Sequence, residues 1–224
     1  MTGRTGRRTM HIPDGFIAPQ VYLPAYAAAG GLWAIGLRRF RRRLREETLP
    51  VLAALTGFAF VLMTLAVPVP GGTTAHASGV ALLALLFGVW TCFLSVSLVL
   101  LLQALLFGAG GITTLPLNAL ALGLAGGAAA ALVHRALSRW SEKGALLLAG
   151  WFSVTVPAFL LAIVLGAQPR IAHAADGSPL FFPFGFAVTL PALLLPHALI
   201  GVGEGALTLL VYRLVRRLRP GREP

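Results

Sequence analysis

From Thr48 to Val133 the chain contains no Asp, Glu, Lys or Arg. A membrane-spanning helix needs roughly 20 apolar residues, so this stretch is long enough for three or four of them. The whole chain of 224 residues is 57% hydrophobic and only 11% charged, which is more apolar than a soluble domain of this size. The sequence therefore predicts an all-α, polytopic protein that lies in a lipid bilayer.

Turn-forming residues and basic blocks divide the chain into seven apolar segments. These segments run approximately over residues 21–37, 50–65, 77–87, 93–107, 115–133, 144–165 and 187–212. Seven spans place all three basic blocks, at 38–45, 135–143 and 213–219, on the cytoplasmic side, as the positive-inside rule requires. Fusing residues 77–107 into one helix would give six spans and put the last two blocks outside. We therefore expect about seven transmembrane helices in the inner (plasma) membrane, with the N-terminus outside and the C-terminus in the cytoplasm.

Composition also excludes several classes of protein. The net charge of +11 does not predict nucleic-acid binding, because the arginines lie in blocks between apolar segments, where they face anionic lipid headgroups. The single cysteine, Cys92, leaves no disulfide and no cysteine-based metal site. The single lysine, Lys143, is not part of a Gly-x-x-x-x-Gly-Lys-Ser/Thr pattern, so no P-loop nucleotide site is expected in this chain.

A short polar stretch, Met10–Phe16, precedes the first apolar segment. If translation starts at Met10, its α-amine and the backbone amide and imidazole of His11 can close two chelate rings on one metal ion. The predicted topology places His76 on the same outer side, which adds a fourth nitrogen. Four nitrogens suit square-planar or tetragonal Ni(II), Cu(II) or Co(II). The alternative for each histidine is an interfacial side chain bonded to a backbone carbonyl.

Four motifs in sequence order make the chain resemble a known family. They are MHIPDGF at 10–16, PVPGGTTAH at 68–76, QALLFGAGGIT at 103–113 and PHALIGVGEG at 196–205. The chain resembles the metal-capturing membrane subunit of cobalt and nickel energy-coupling factor (ECF) transporters, the CbiM/NikM type. The resemblance implies a seven-helix fold without enzymatic activity. It also implies that Co(II) or Ni(II) is the transported substrate, held by the α-amine of Met10, the amide and imidazole of His11, and His76.

The resemblance further implies partners that drive transport. These are a transmembrane coupling subunit, two cytoplasmic P-loop ATPase subunits and, as an optional component, a small accessory membrane subunit. Cobalt and nickel both accept nitrogen donors, so the sequence does not choose between them.

The chain departs from the family at its beginning. In the family the Met-His pair is the N-terminus, whereas nine residues precede Met10 here. A peptide nitrogen at Met10 has no basic lone pair, and the extension would put arginines on the outer side, against the charge rule. We therefore interpret residues 1–9 as an extension outside the functional protein and residues 10–224 as a single transmembrane metal-capture domain.

Other polar residues in the apolar region are candidates for supporting roles. Gln103 and Asn118 are candidates to accept the second ring hydrogen of a ligand histidine, or simply to bond across helices. Asp14 is a candidate to bind backbone amides near the ion or, alternatively, to cap the first helix. His197 and Glu204 lie two helical turns apart on one face, so they form either a proton-sharing pair or a network that fixes helix packing.

Two further questions stay open in the sequence. The small residues Ala119, Gly123, Gly127 and Ala131 recur every fourth position, which indicates a close packing surface, either internal or for a partner subunit. The alternative functions are a structural or assembly subunit of a membrane complex and an intramembrane metalloenzyme. The chain has no His-Glu-x-x-His motif, which is the pattern a metalloenzyme of this kind would be expected to carry.

Overall fold

The computed structural model describes residues 11–43, 45–69 and 73–218. Met10 and the residues before it, the Pro-Gly-Gly turn at 70–72, and Arg219 onward lie outside the described residues. Seven helices form most of the described chain: α1 (Pro19–Arg43), α2 (Leu49–Thr64), α3 (Val80–Phe87), α4 (Val89–Phe107), α5 (Leu115–Leu137), α6 (Glu142–Ile171) and α7 (Phe186–Leu218). A 3-10 turn at Glu46–Thr48 leads into α2. The predicted seven-helix architecture is confirmed.

Five of the described helices are long and apolar enough to cross a membrane, judged by length and composition: α2 with its leading turn, α4, α5, α6 and α7. Helix α1 has 25 residues but is less apolar, and α3 has only eight. Eight residues extend about 12 Å, less than half of a bilayer core. Helices α3 and α4 are separated at Gly88, whose φ of +83° breaks the helix. The orientation across the membrane stays a prediction.

Between α2 and α3 the chain forms a short antiparallel hairpin. Strand β1 (Val67–Val69) pairs with β2 (Thr73–Ala75), and Val67 lies opposite Ala75. The sequence predicted only a break in this region. The hairpin returns the chain towards the bundle, so that His76 follows immediately after β2.

The small-residue stripe on α5 is an internal packing surface. A Cβ added to Gly123 would lie 3.1 Å from Phe93 Cα, and one added to Gly127 would lie 3.1 Å from Cys92 Sγ. Ala119 is fully buried. The stripe therefore lets α5 approach α4 within this chain, which settles a point the sequence left open.

Helices α6 and α7 make the closest helix pair. A Cβ added to Gly150 would lie 2.6 Å from Gly205 Cα, and one added to Gly205 would lie 2.4 Å from the Leu147 carbonyl oxygen. Only glycine fits such an approach of two backbones. The pair fixes α7 against α6 and so determines where the polar residues of α7 meet the rest of the bundle.

Candidate metal site

His11 and His76 lie side by side in the interior. Their ring centroids are 5.1 Å apart and the planes are nearly perpendicular, at 83°. His11 is 8% exposed and His76 is 6% exposed. Two histidines separated by 65 positions in the chain, one before α1 and one before α3, therefore meet in a largely buried position.

The imidazole of His11 is held in one tautomer. Its Nε2 lies 3.0 Å from Oε1 of Gln103, while the Gln103 amide donates to the Phe60 carbonyl and the Thr64 hydroxyl, each at 3.2 Å. Because both of those contacts require the amide nitrogen, Oε1 faces the histidine as an acceptor. Nε2 therefore carries the hydrogen, and the lone pair is on Nδ1. That nitrogen is the one able to close a six-membered chelate ring with the backbone amide of the same residue.

Burial also keeps the His11 ring neutral. Desolvation, followed by the proximity of His76, lowers the pKa of His11 to about 3. A neutral imidazole is the form that binds metal ions.

The imidazole of His76 has the opposite tautomer. Its Nδ1 lies 3.1 Å from the Ala77 carbonyl oxygen. A carbonyl only accepts, so Nδ1 carries the hydrogen and the lone pair of the neutral ring is on Nε2. The two rings therefore offer different nitrogens, each oriented by a hydrogen bond from the other ring nitrogen, as is usual for histidines that bind metals.

Asp14 fixes the segment that carries His11 to the loop between α4 and α5. Its carboxylate accepts from the backbone amides of Ile112, at 3.2 Å, and Thr113, at 2.8 Å, and from the Thr113 hydroxyl. A Cβ added to Gly111 would lie 2.3 Å from Oδ1 of Asp14. Because α1 begins at Pro19, Asp14 binds loop amides and does not cap that helix.

Asn118 donates a hydrogen bond to the backbone of the same segment. Its Nδ2 donates to the Ile12 carbonyl at 3.2 Å, and the Thr114 hydroxyl donates to the same oxygen. Asn118 is 2% exposed, and its Oδ1 has no partner among the described residues. Asn118 therefore helps to position His11 through the carbonyl of the next residue, Ile12.

Sequence reasoning missed Gln168. This glutamine is fully buried in α6, and its Oε1 accepts from the backbone amide of Ala18 at 2.9 Å. The signal was a lone amide side chain within an apolar helix, the same feature that singled out Gln103. Together, Gln103 and Gln168 hold the two ends of the segment that precedes α1.

A cavity of about 420 Å³ opens beside the two histidines. His11, His76 and His197 line it together with mainly apolar side chains of α6 and α7. Among the described residues no group of three His, Cys, Asp or Glu side chains is close enough to hold a metal ion.

His197 and Glu204 have different partners. His197 Nδ1 donates to the Leu193 carbonyl at 2.7 Å, whereas Glu204 accepts from the amides of Ser78 and Gly79, both at 2.7 Å. The geometry thus favours the packing-network interpretation over a proton-sharing pair. Sequence reasoning missed Ser78, which lies two residues after the PVPGGTTAH motif.

The described chain is a mainly helical bundle in which five helices are long and apolar enough to cross a membrane, and a buried histidine pair lies beside a cavity in its interior. These features define a membrane protein with a small internal binding site. The family described as "Cobalt uptake substrate-specific transmembrane region" (CbiM) matches residues 11–222. The chain belongs to the CbiM family, which is a family of transporter membrane components and not of enzymes.

Similar proteins include two fused nickel transporters. The protein named "Probable fused nickel transport protein LarMN" from Lactiplantibacillus plantarum is 38% identical over 94% of this chain. The "Fused nickel transport protein NikMN" of Rhodobacter capsulatus is 36% identical over 94% of this chain. The chain spans 66% and 63% of the lengths of these two relatives.

The fold is also found in a solved structure. The crystal structure of a truncated transition metal transporter has a TM-score of 0.87 and 34% sequence identity, over 92% of this chain and 99% of that one. The histidine pair thus lies in a fold that occurs in a transition metal transporter.

Proposed function

We propose that this chain is the substrate-binding membrane component of an ATP-driven ECF uptake transporter for Co(II) or Ni(II). The ion is bound at the outer side by the α-amine of Met10, the amide nitrogen and Nδ1 of His11, and Nε2 of His76. The observation that carries the proposal is the buried contact between His11 and His76, with a different ring nitrogen presented by each.

Three features support this ligand set. Nδ1 of His11 is the nitrogen that a chelate through its own amide requires. Among the described side chains, no third His, Cys, Asp or Glu is close enough to share a metal ion with the pair, although His197 lines the same cavity, which favours main-chain nitrogens as the remaining donors. An all-nitrogen set suits Ni(II) and Co(II); the family is described by cobalt uptake, and the two relatives are named as nickel transport proteins.

The energy source for transport is assigned to other subunits. The chain contains no P-loop pattern around its only lysine, Lys143. We therefore propose that two cytoplasmic P-loop ATPases and a transmembrane coupling subunit, with or without a small accessory membrane subunit, complete the transporter in the inner membrane.

The central test is metal binding by purified protein that starts at Met10. Isothermal titration with Ni(II) and Co(II) should give one site. His11→Ala or His76→Ala should weaken metal affinity by at least about 100-fold, because each removes a direct ligand. The loss of a ligand costs more affinity than the loss of a residue that only orients a ligand. His173→Ala is the matched control, since His173 is exposed in the loop after α6. Full affinity in His76→Ala would overturn the site, and absence of binding in the unsubstituted protein would favour an assembly role.

The role of Met10 needs a separate experiment. We propose that Met10 is the functional N-terminus, because only a terminal amine offers a basic lone pair. Protein that retains residues 1–9 should bind metal more weakly than protein starting at Met10. N-terminal mass spectrometry of the purified native protein should find Met10, and finding Met1 or Thr2 together with normal metal uptake would refute the proposal.

A further inference from the structure

We propose that Glu204 is a positioning residue for metal capture: its carboxylate, on α7, accepts a hydrogen bond from the Ala77–Ser78 peptide, which in turn orients His76. This inference rests on the proposed function, in which His76 is a ligand. It assigns a role to a buried acidic residue that does not face the ion itself.

The carboxylate of Glu204 is surrounded by donors. Oε2 accepts from the backbone amide of Ser78 at 2.7 Å, and Oε1 accepts from the amide of Gly79 at 2.7 Å and from the Ser78 hydroxyl at 3.0 Å. Glu204 is 0% exposed and Ser78 is 3% exposed. A carboxylate that accepts three hydrogen bonds in a buried position is a strong and directional anchor.

The anchor is needed because α3 begins inside the bundle. The amides that precede a helix and those of its first turn have no partners within the helix. Gly79, at the start of α3, has a φ of +69°, and residues 76–79 are irregular backbone. Irregular backbone at membrane depth is tolerated only where protein groups satisfy it. Glu204 supplies that acceptor from a different helix.

One peptide group connects Glu204 to His76. The Ala77 carbonyl accepts from Nδ1 of His76, and the Ser78 amide donates to Glu204. This carbonyl and this amide belong to the same peptide unit. The carboxylate therefore orients the unit and polarises its carbonyl, which in turn holds Nδ1–H of His76 and directs Nε2 to the ion. The arrangement extends the familiar carboxylate–histidine–metal contact by one peptide.

The position of His76 consequently depends on α7. Helix α7 is packed on α6 through Gly150 and Gly205, and Gly205 is adjacent to Glu204. A displacement of α7 relative to α3 would act on the His76 peptide directly.

The test substitutes Glu204→Gln in protein that starts at Met10. Glutamine keeps the size of the side chain but places an NH2 donor where a carboxylate oxygen accepted a backbone N–H. The set of hydrogen bonds to Ser78 and Gly79 can therefore no longer form completely. Titration with Ni(II) should show an affinity about 10- to 100-fold lower, the usual effect of losing a group that orients a ligand. Thr208→Val is the control: Thr208 is also fully buried on α7, and its hydroxyl donates to the Glu204 main-chain carbonyl. It should retain wild-type affinity.

A double substitution separates positioning from general damage. In His76→Ala protein, which retains the donors of Met10 and His11, adding Glu204→Gln should cause no further loss of affinity. The visible absorption of Ni(II)-saturated Glu204→Gln protein should shift towards that of His76→Ala protein. An equal loss in both backgrounds, or wild-type affinity and spectrum in Glu204→Gln alone, would overturn the inference. Full affinity in His76→Ala would instead overturn the proposed function.

Discussion

At the scale of single residues, the site is determined by which nitrogen of each histidine carries the hydrogen. Gln103 assigns it to Nε2 of His11, and the Ala77 carbonyl assigns it to Nδ1 of His76. The Gln103 side chain can do this only because two other acceptors, the Phe60 carbonyl and the Thr64 hydroxyl, fix its amide. The selection of the chelating nitrogen is therefore a property of α2 and α4 together.

Replacing Gln103 tests this selection. In Gln103→Leu, the acceptor of the His11 ring hydrogen is lost, and we expect Ni(II) affinity to fall about 10- to 100-fold, measured by titration. Gln168→Leu is the matched control, since Gln168 is equally buried but holds the Ala18 amide and not a ring. A loss of the same size in both variants would contradict the tautomer argument.

At the scale of secondary-structure elements, three irregular segments form the site. They are the segment before α1, the segment from the hairpin to α3, and the loop between α4 and α5. Asp14 and Asn118 fix the first to the third, and Glu204 fixes the second to α7. In each of these segments, backbone N–H or C=O groups form hydrogen bonds with a side chain from another element.

The fit between the first and third segments predicts the effect of a small added group. A Cβ at Gly111 would lie 2.4 Å from the Asp14 backbone nitrogen, so Gly111→Ala must displace the segment that carries His11. We expect a clear loss of metal affinity by titration. Gly185→Ala, also outside the helices and with no atom within 4 Å of the added Cβ, should bind normally. Unchanged binding by Gly111→Ala would show that this contact does not position His11.

The packing of α6 on α7 predicts a loss of stability. Gly150→Ala places a Cβ 2.6 Å from Gly205 Cα, and overpacking of this kind costs about 1–3 kcal/mol. Thermal unfolding in detergent should show a lower midpoint. Gly57→Ala, on α2 with no atom within 4 Å of the added Cβ, should be neutral or stabilising, because alanine favours helix by about 1 kcal/mol. Equal midpoints for the two variants would refute the close approach.

At the scale of the whole molecule, helix α7 exposes large apolar side chains, while uncharged and acidic polar side chains of α4, α6 and α7 are fully buried. Leu195, Leu199 and Val202 of α7 are 67%, 75% and 66% exposed. Gln103, Gln168 and Glu204 are 0% exposed. Such a surface is suited to lipid, which offers no hydrogen bonds, so the interior polar groups depend on the protein for their partners, as Gln103, Gln168 and Glu204 do.

The predicted orientation can be tested by labelling single cysteines. Cys92 is fully buried and should give little background. Lys143 and Ala175 lie near opposite ends of α6 and are exposed. A membrane-impermeant maleimide should label Ala175→Cys in intact cells and Lys143→Cys only after lysis. The reverse pattern would invert the topology.

Much of the fold could be predicted from the sequence because lipid solvation acts on local composition. Long apolar runs specify helices, and the turn-forming residues between them specify roughly where the helices end, as between residues 107 and 115. The motifs MHIPDGF and PVPGGTTAH also indicated His11 and His76 as a pair. The hairpin β1–β2 was missed, because three-residue strands carry almost no periodic signal.

Only the tertiary structure decided what each interior polar residue does. Periodicity paired Glu204 with His197, two turns away on the same helix, whereas the carboxylate binds residues 78 and 79. Gln168 carried only the signal of a lone amide within an apolar helix, and Ser78 carried none. Composition and residue order determined a membrane bundle with a histidine pair. The hydrogen bond that orients His11 joins it to Gln103, 92 positions away, and the bond that holds the other end of its segment joins Ala18 to Gln168, 150 positions away. Only the packed helices bring such partners together.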